Sequence, residues 1–156
     1  MIEIEIPGLK TYRFEHLVLD VNGTIAKDGQ LIEGVAGLLK ELRSTLRLHL
    51  VTADTHGLQA EIDRQLGITA SRIAARNQIE AKLRYIQDLG VETVVAVGNG
   101  ANDAAMLEHA ALGIAIVGPE GCATETLRKS DIVVPHIHAA LEILLHPKRL
   151  IATLRR

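Results

Sequence analysis

In the stretch HLVLDVNGTIAKDG, residues 16–29, an apolar run ends on Asp20 and the chain then turns through Val21-Asn22-Gly23-Thr24. A carboxylate presented where a buried strand ends can serve as a nucleophile toward phosphorus, because aspartyl phosphate is a competent covalent intermediate. The same letters also read as a β-hairpin with Asn22-Gly23 as its type I′ turn, and the fragment alone leaves both readings open. A second apolar run, LRLHLVT, closes on Thr52-Ala53-Asp54 ahead of a helical pattern. A hydroxyl beside the first amides of a helix makes an anion site, although Thr55 or Asp54 can equally act as a plain helix cap. Lys82 lies in the helical segment NQIEAKLRYIQDLG. Facing the same mouth it would neutralise a phosphoryl group; facing water it would be one more solvated lysine. Finally, VVAVGNGANDAAMLEHAALGIAIVG, residues 94–118, breaks at Gly98-Asn99-Gly100 and opens a helix with Asn102-Asp103. Two amide oxygens and a carboxylate suit Mg2+, a hard cation that prefers oxygen ligands, and Asn102 can cap the helix at the same time.

For these residues to meet, the elements carrying them must end together. Short β-branched runs at 16–20, 46–52, 93–97, 112–117 and 131–134, with a weaker one at 71–75, predict strands. Amphipathic patterns at about 34–44, 55–66, 77–89, 101–110, 121–129 and 136–146 predict the helices between them. Near-continuous apolar strands separated by helices imply an α/β, Rossmann-like, doubly wound and mostly parallel sheet with helices on both faces. Such sheets bind ligands beyond the carboxyl ends of their strands, which is where Asp20, Thr52, Asn99 and Gly118-Pro119 fall.

The 156 residues form one expected domain, 1–156, able to bury a sizeable core. A formal charge of −2 provides no footprint for nucleic acid or an anionic membrane. No apolar run reaches the roughly 18 residues of a bilayer span, and MIEIEIPG has the acids a signal peptide lacks, so a cytoplasmic location is expected. The single Cys122 excludes an internal disulfide and suits a reducing compartment. His136, His138 and His146 have no cysteine beside them and are expected in structural or solvent-facing roles rather than at zinc. Residues 1–13 contain the alternating IEIEI, expected as an extra edge strand or a homo-oligomer contact. The segment 21–33 has room for a short flap hairpin around Lys27-Asp28-Gly29-Gln30 but not for a cap domain.

The ordered set Asp20-x-Asn22-Gly23-Thr24, Thr52, Lys82 and Gly98-Asn99-Gly100-x-Asn102-Asp103 resembles the haloacid dehalogenase (HAD) superfamily. Within it, LVTADTHGLQAEIDRQLGI and GNGANDAAMLEHAALGIAI are most similar to the phosphorylation domain of P-type cation ATPases and to the soluble proteins that share it without membrane helices. The resemblance covers roughly residues 14–134. It implies an Mg2+-dependent phosphohydrolase or phosphotransferase with Asp20 as nucleophile. Phosphoryl oxygens would then be held by Gly23, Thr52, Ala53, Lys82 and Asn102. The metal would be held by Asp20, the carbonyl of Asn22, Asn99 and Asp103.

Two departures from the family pattern matter. Most HAD phosphatases carry an acid/base Asp two residues after the nucleophile, where this chain has Asn22; loss of a positioned acid/base lowers rates by about 10²–10⁴-fold. The pumps have Asp where this chain has Asn99, so weaker Mg2+ binding is expected. The implied substrate is a phosphate compound whose leaving group departs without a proton, such as an aryl or acyl phosphate. A rival reading is a phosphate- or Mg2+-binding protein of decayed activity. A receiver domain fits poorly, because receivers carry an acid pair on the first strand and their phospho-acceptor on the third.

Overall fold

The computed structural model describes residues 1–54 and 57–156. The chain opens with β1 (Ile2–Glu5) and β2 (Thr11–Phe14), paired antiparallel in a sheet of their own. The core strand β3 (His16–Asp20) follows, then the short strands β4 (Ala26–Lys27) and β5 (Gln30–Leu31) and helix α1 (Val35–Leu42). Next come β6 (Arg47–Thr52), α2 (Gln59–Leu66), β7 (Ser71–Arg72) and α3 (Gln78–Leu89). The last part runs β8 (Val94–Gly98), α4 (Ala104–His109), β9 (Leu112–Ile116), α5 (Thr124–Lys129), β10 (Ile132–Val134), α6 (Ile137–Leu145) and α7 (Pro147–Leu154).

Strands β10-β9-β8-β3-β6-β7 form one sheet in that order, parallel throughout among the described residues. Side chains alternate across a strand, so β3 feeds two cores. Leu17 and Leu19 join Leu39 of α1, Ile62 of α2 and Leu141 of α6 on one face. Val18 joins Ile86 of α3 with Met106 and Leu107 of α4 on the other. The doubly wound α/β architecture expected from the alternating pattern is therefore present. The chain leaves β3 toward β6 and β7, then returns to β8 on the opposite side. That reversal opens a crevice at the carboxyl end of β3.

Several local expectations change. The IEIEI segment is not an edge of the main sheet: it pairs with β2, and Ile4 and Ile6 turn into the protein's own core. Asn22-Gly23 is not a hairpin turn, because both neighbours of β3 are parallel strands. The hairpin lies at β4–β5, where Asp28 (φ 51°) and Gly29 (φ 75°) supply the two left-handed residues of a type I′ turn. The helix expected from 101 begins as a 3-10 turn at Ala101–Asp103, and the one expected over 121–129 starts only at Thr124. The start expected at 55 lies outside the described residues. Helix α7 was not anticipated, although Pro147 in its first turn and Leu150, Ile151 and Leu154 at helical spacing are its sequence signal. His136 accepts a hydrogen bond from the Ala139 amide at the start of α6, and His138 bonds the Glu33 carbonyl, so both have structural partners. Among the described residues no helix is long and apolar enough to cross a membrane.

Candidate active site

At the mouth of β3, β6 and β8 lies a cleft of about 140 Å³ lined by Asp20, Asn22, Thr52, Ala53, Gln78, Lys82, Asn99, Gly100, Asn102 and Glu120. Asp20 is the last residue of β3, paired in parallel with Val51 of β6, one position beyond the last β3–β8 pairing at Leu19. After it, the Val21 carbonyl accepts the amides of Thr24, Ile25 and Ala26, which winds the chain into a tight loop. Gly23 adopts φ 82° there, a backbone position that glycine tolerates and most residues do not.

Lys82 rises from α3 with Nζ 2.6 Å from Asp20 Oδ1 and 2.6 Å from Asp103 Oδ1. It is 1% exposed, and so is fully removed from the solvated state open to it on sequence grounds. Two carboxylates share one ammonium, so the cluster keeps one net negative charge. Burial works against the charge on Lys82, yet Asp20 and Asp103 together hold its ammonium above the ordinary lysine value. Burial pushes the Asp20 carboxyl up to about 7; Asp103 adds to the shift, while Lys82 and the Thr24 hydroxyl oppose it.

Asp103 does not line the cleft. Its Oδ2 accepts the amides of Asn99 (3.0 Å) and Gly100 (2.9 Å), and its Oδ1 accepts Lys82. Gly98 makes this approach possible, since a Cβ there would fall 2.5 Å from Asp103 Cγ. Through these bonds Asp103 holds both Lys82 and the Asn99-Gly100 loop in place. Asn102 faces the cleft and donates to Gln78 Oε1 at 2.6 Å. Thr52 is buried, and its Oγ1 accepts the Asp54 amide at 2.9 Å, which leaves its own proton available to a ligand. Asp54 is not the N-cap of α2, which is Leu58 without a side-chain cap bond, although Asp54 Oδ1 accepts the Gln59 amide at 3.1 Å.

The oxygens around Thr24 bear on the metal question. The Thr24 hydroxyl lies 3.1 Å from Asp20 Oδ2 and 3.2 Å from Asn99 Oδ1. A hydroxyl has one proton for these two acceptors, so two oxygens converge with too few donors. That arrangement, made of oxygen atoms alone and opening beside Asn22, fits a hard cation such as Mg2+. Among the described residues no three His, Cys, Asp or Glu side chains converge as a metal site. Amide and carbonyl oxygens, with water, would therefore supply part of the coordination.

The residue types expected at this site are thus gathered across long separations: Asp20, Asn22, Thr52, Ala53, Lys82, Asn99 and Asn102 surround the cleft, with Asp103 behind it. Gly23 is not in the lining, and its amide donates to the Ala26 carbonyl at 2.8 Å. Thr24, Gln78 and Glu120 were missed. Thr24 lay inside the motif already singled out. Gln78 is one helical turn before Lys82 and so shares its face. Glu120 had no signal beyond an acid in a Gly-Pro-Glu-Gly turn.

The family model of haloacid dehalogenase-like hydrolases matches residues 2–111. An uncharacterized protein of Methanocaldococcus jannaschii is 44% identical over 79 residues, 48% of this chain and 85% of that protein. The probable copper-importing P-type ATPase A of Enterococcus hirae is 31% identical over 140 residues, 88% of this chain but 19% of the pump. Among solved structures, the 3-deoxy-D-manno-octulosonate 8-phosphate phosphatase of Moraxella catarrhalis, in complex with magnesium, phosphate and its KDO molecule, superposes with a TM-score of 0.66. That pair is 21% identical and covers 91% of this chain and 94% of the other. A phospho-aspartyl intermediate analogue of phosphoserine phosphatase gives 0.65 at 17% identity, covering 86% of this chain and 99% of that one. These structural likenesses concern the fold.

Proposed function

Because the chain belongs to the haloacid dehalogenase-like hydrolase family, we propose that it is an Mg2+-dependent phosphohydrolase that works through an aspartyl phosphate on Asp20. The observation carrying this reading is the buried Lys82 ammonium, 2.6 Å from Asp20 and from Asp103, in the cleft where β3 ends. A surface lysine has no reason to be buried there; a group that offsets phosphoryl charge beside a nucleophile has.

In the first step an Asp20 carboxylate oxygen attacks phosphorus in line. The bond from phosphorus to the leaving oxygen breaks, and that oxygen departs with the electron pair. Lys82 favours the ionised form of Asp20 and orients it, the Thr52 hydroxyl donates to a phosphoryl oxygen, and Ala53 and Asn102 complete the cradle. Asp20, Asn99 and the Asn22 carbonyl would hold the cation, with Asp103 fixing the loop behind them. Mg2+ in that position supplies a Lewis acid that offsets the phosphoryl charge. In the second step water attacks phosphorus, the bond to Asp20 breaks, and orthophosphate leaves with the carboxylate restored. Asn22 can neither protonate the leaving group nor take the proton of that water. The substrates are therefore phosphates whose leaving groups depart as stable anions, and the second step is slow. Cytoplasmic location belongs to the same reading and rests on the lone thiol and the composition.

Asn22 also favours a second reading, a phosphate- and Mg2+-binding protein with vestigial turnover. Mg2+-dependent phosphate release from p-nitrophenyl phosphate and acetyl phosphate separates the two. Wild type should turn over, Asp20→Asn should lose more than about 10³-fold, and Asn22→Asp should gain roughly 10²-fold. Equal release by all three proteins removes the enzyme reading.

A further inference from the structure

After β9 the chain makes a turn at Gly118-Pro119-Glu120-Gly121, closed by the Gly121 amide on the Gly118 carbonyl at 2.9 Å. Asn99 holds this turn. Its Nδ2 donates to the Gly121 carbonyl at 3.1 Å, and its backbone carbonyl accepts the Ala123 amide at 2.8 Å. The turn sits on the loop that follows the nucleophile, so that a Cβ at Gly118 would lie 3.1 Å from the Gly23 carbonyl oxygen. Glu120 thereby reaches across Gly23: a Cβ at Gly23 would lie 2.6 Å from Glu120 Oε2 and 2.7 Å from Asn99 Nδ2. Glu120 is a wall of the cleft that contains Asp20, Asn22 and Asn99.

The amide at 99 is what makes this arrangement possible. An aspartate there would bring a charge to the cleft, but it has no N–H to offer Gly121 and would push that carbonyl away. Asparagine gives up the charge and gains the strut that carries Glu120 to the same place. Without Glu120, Asp20 and Asp103 against Lys82 leave one net negative charge for a divalent cation; with it there are two.

We propose that Glu120 is the carboxylate that balances a divalent cation in this cleft, acting through waters the ion retains, and that Asn99 positions it. This rests on the proposed Mg2+ site and deepens it. Mg2+ keeps several waters when protein-bound, and groups that bond to such waters or ligands tune metal affinity by about 10–100-fold.

The test is direct metal binding by the full chain without substrate, using calorimetry with Mg2+ and electron paramagnetic resonance with Mn2+. Glu120→Gln should weaken both ions about tenfold while its metal-free melting temperature stays at the wild-type value, because the side chain is exposed on a turn. Adding Asn99→Asp to Glu120→Gln should recover affinity by returning a charge to the site. Wild-type affinity in Glu120→Gln, with binding lost in Asp20→Asn, overturns the assignment of Glu120 and leaves the cation site standing. Wild-type affinity in Asp20→Asn, or no saturable binding by the wild type, overturns the site itself.

Discussion

Lys82 was one lysine among several in a helical pattern; its chemistry comes from where its ammonium is held. Removing the cation while keeping the bulk isolates that chemistry. Lys82→Met should leave Asp20 and Asp103 buried without a counter-charge, a loss of about 3–5 kcal/mol for breaking a buried pair. Because Asp20 is already raised to about 7, protonation can relieve the repulsion. The loss in urea unfolding should therefore be larger at pH 8 than at pH 5, and an equal loss at both would contradict the shared-ammonium geometry. Residue type and motif position bring Asp103 to this site; the structure adds that its oxygens accept Lys82 and two backbone amides.

Elements were legible where the core dictates them. The runs that became β3, β8 and β9 are apolar at successive positions because both sheet faces are covered, while β6 starts on exposed Arg47 and is fully buried only from Leu50. Boundaries at the carboxyl ends were harder, since there the chain serves the cleft instead of the core. The Gly98 junction is an example. Placing a methyl group 2.5 Å from Asp103 Cγ must shift the loop or the carboxylate, so Gly98→Ala should destabilise by about 1–3 kcal/mol. It should also lower turnover and metal affinity together, measured by denaturation beside the phosphatase assay. A variant with normal stability and normal turnover would show that Asp103 need not approach the strand end so closely. The two elements missed, β2 and α7, pack at the margin with the N-terminal hairpin, where a four-residue strand and an eight-residue helix carry too little periodicity to stand out.

Across the whole molecule, two titrating groups, half-buried His49 and buried Asp20, oppose one another. His49, hydrogen-bonded to His16 at 2.9 Å and to Tyr85 at 3.0 Å, has its ring pushed down to about 4 by burial, with His16 and Arg47 adding to it. A histidine depressed in the fold contributes stability that is present above its unfolded value of about 6.5 and lost as pH falls toward 4. Asp20, raised in the fold, contributes in the opposite sense: full below about 3.8 and lost as pH rises toward 7. The wild-type urea midpoint should consequently change little between pH 4.5 and 6.5. His49→Gln should make it fall with rising pH and Asp20→Asn should make it rise; parallel profiles for the two variants would show that these groups are not the titrating pair. The amino acid order alone determined the alternation of strands and helices, the chemistry available at each strand end and the family likeness, because burial on two faces and oxygen-donor chemistry both leave local marks. Only the tertiary structure decided which lysine is buried, that Asp103 braces that lysine and the Asn99-Gly100 loop, and that Glu120 stands over Gly23. Those contacts join residues 62 and 21 positions apart at Lys82, and 22 apart between Asn99 and Gly121. Separations of that length are closed by sheet order and by the return of the chain to β8, which no local pattern encodes.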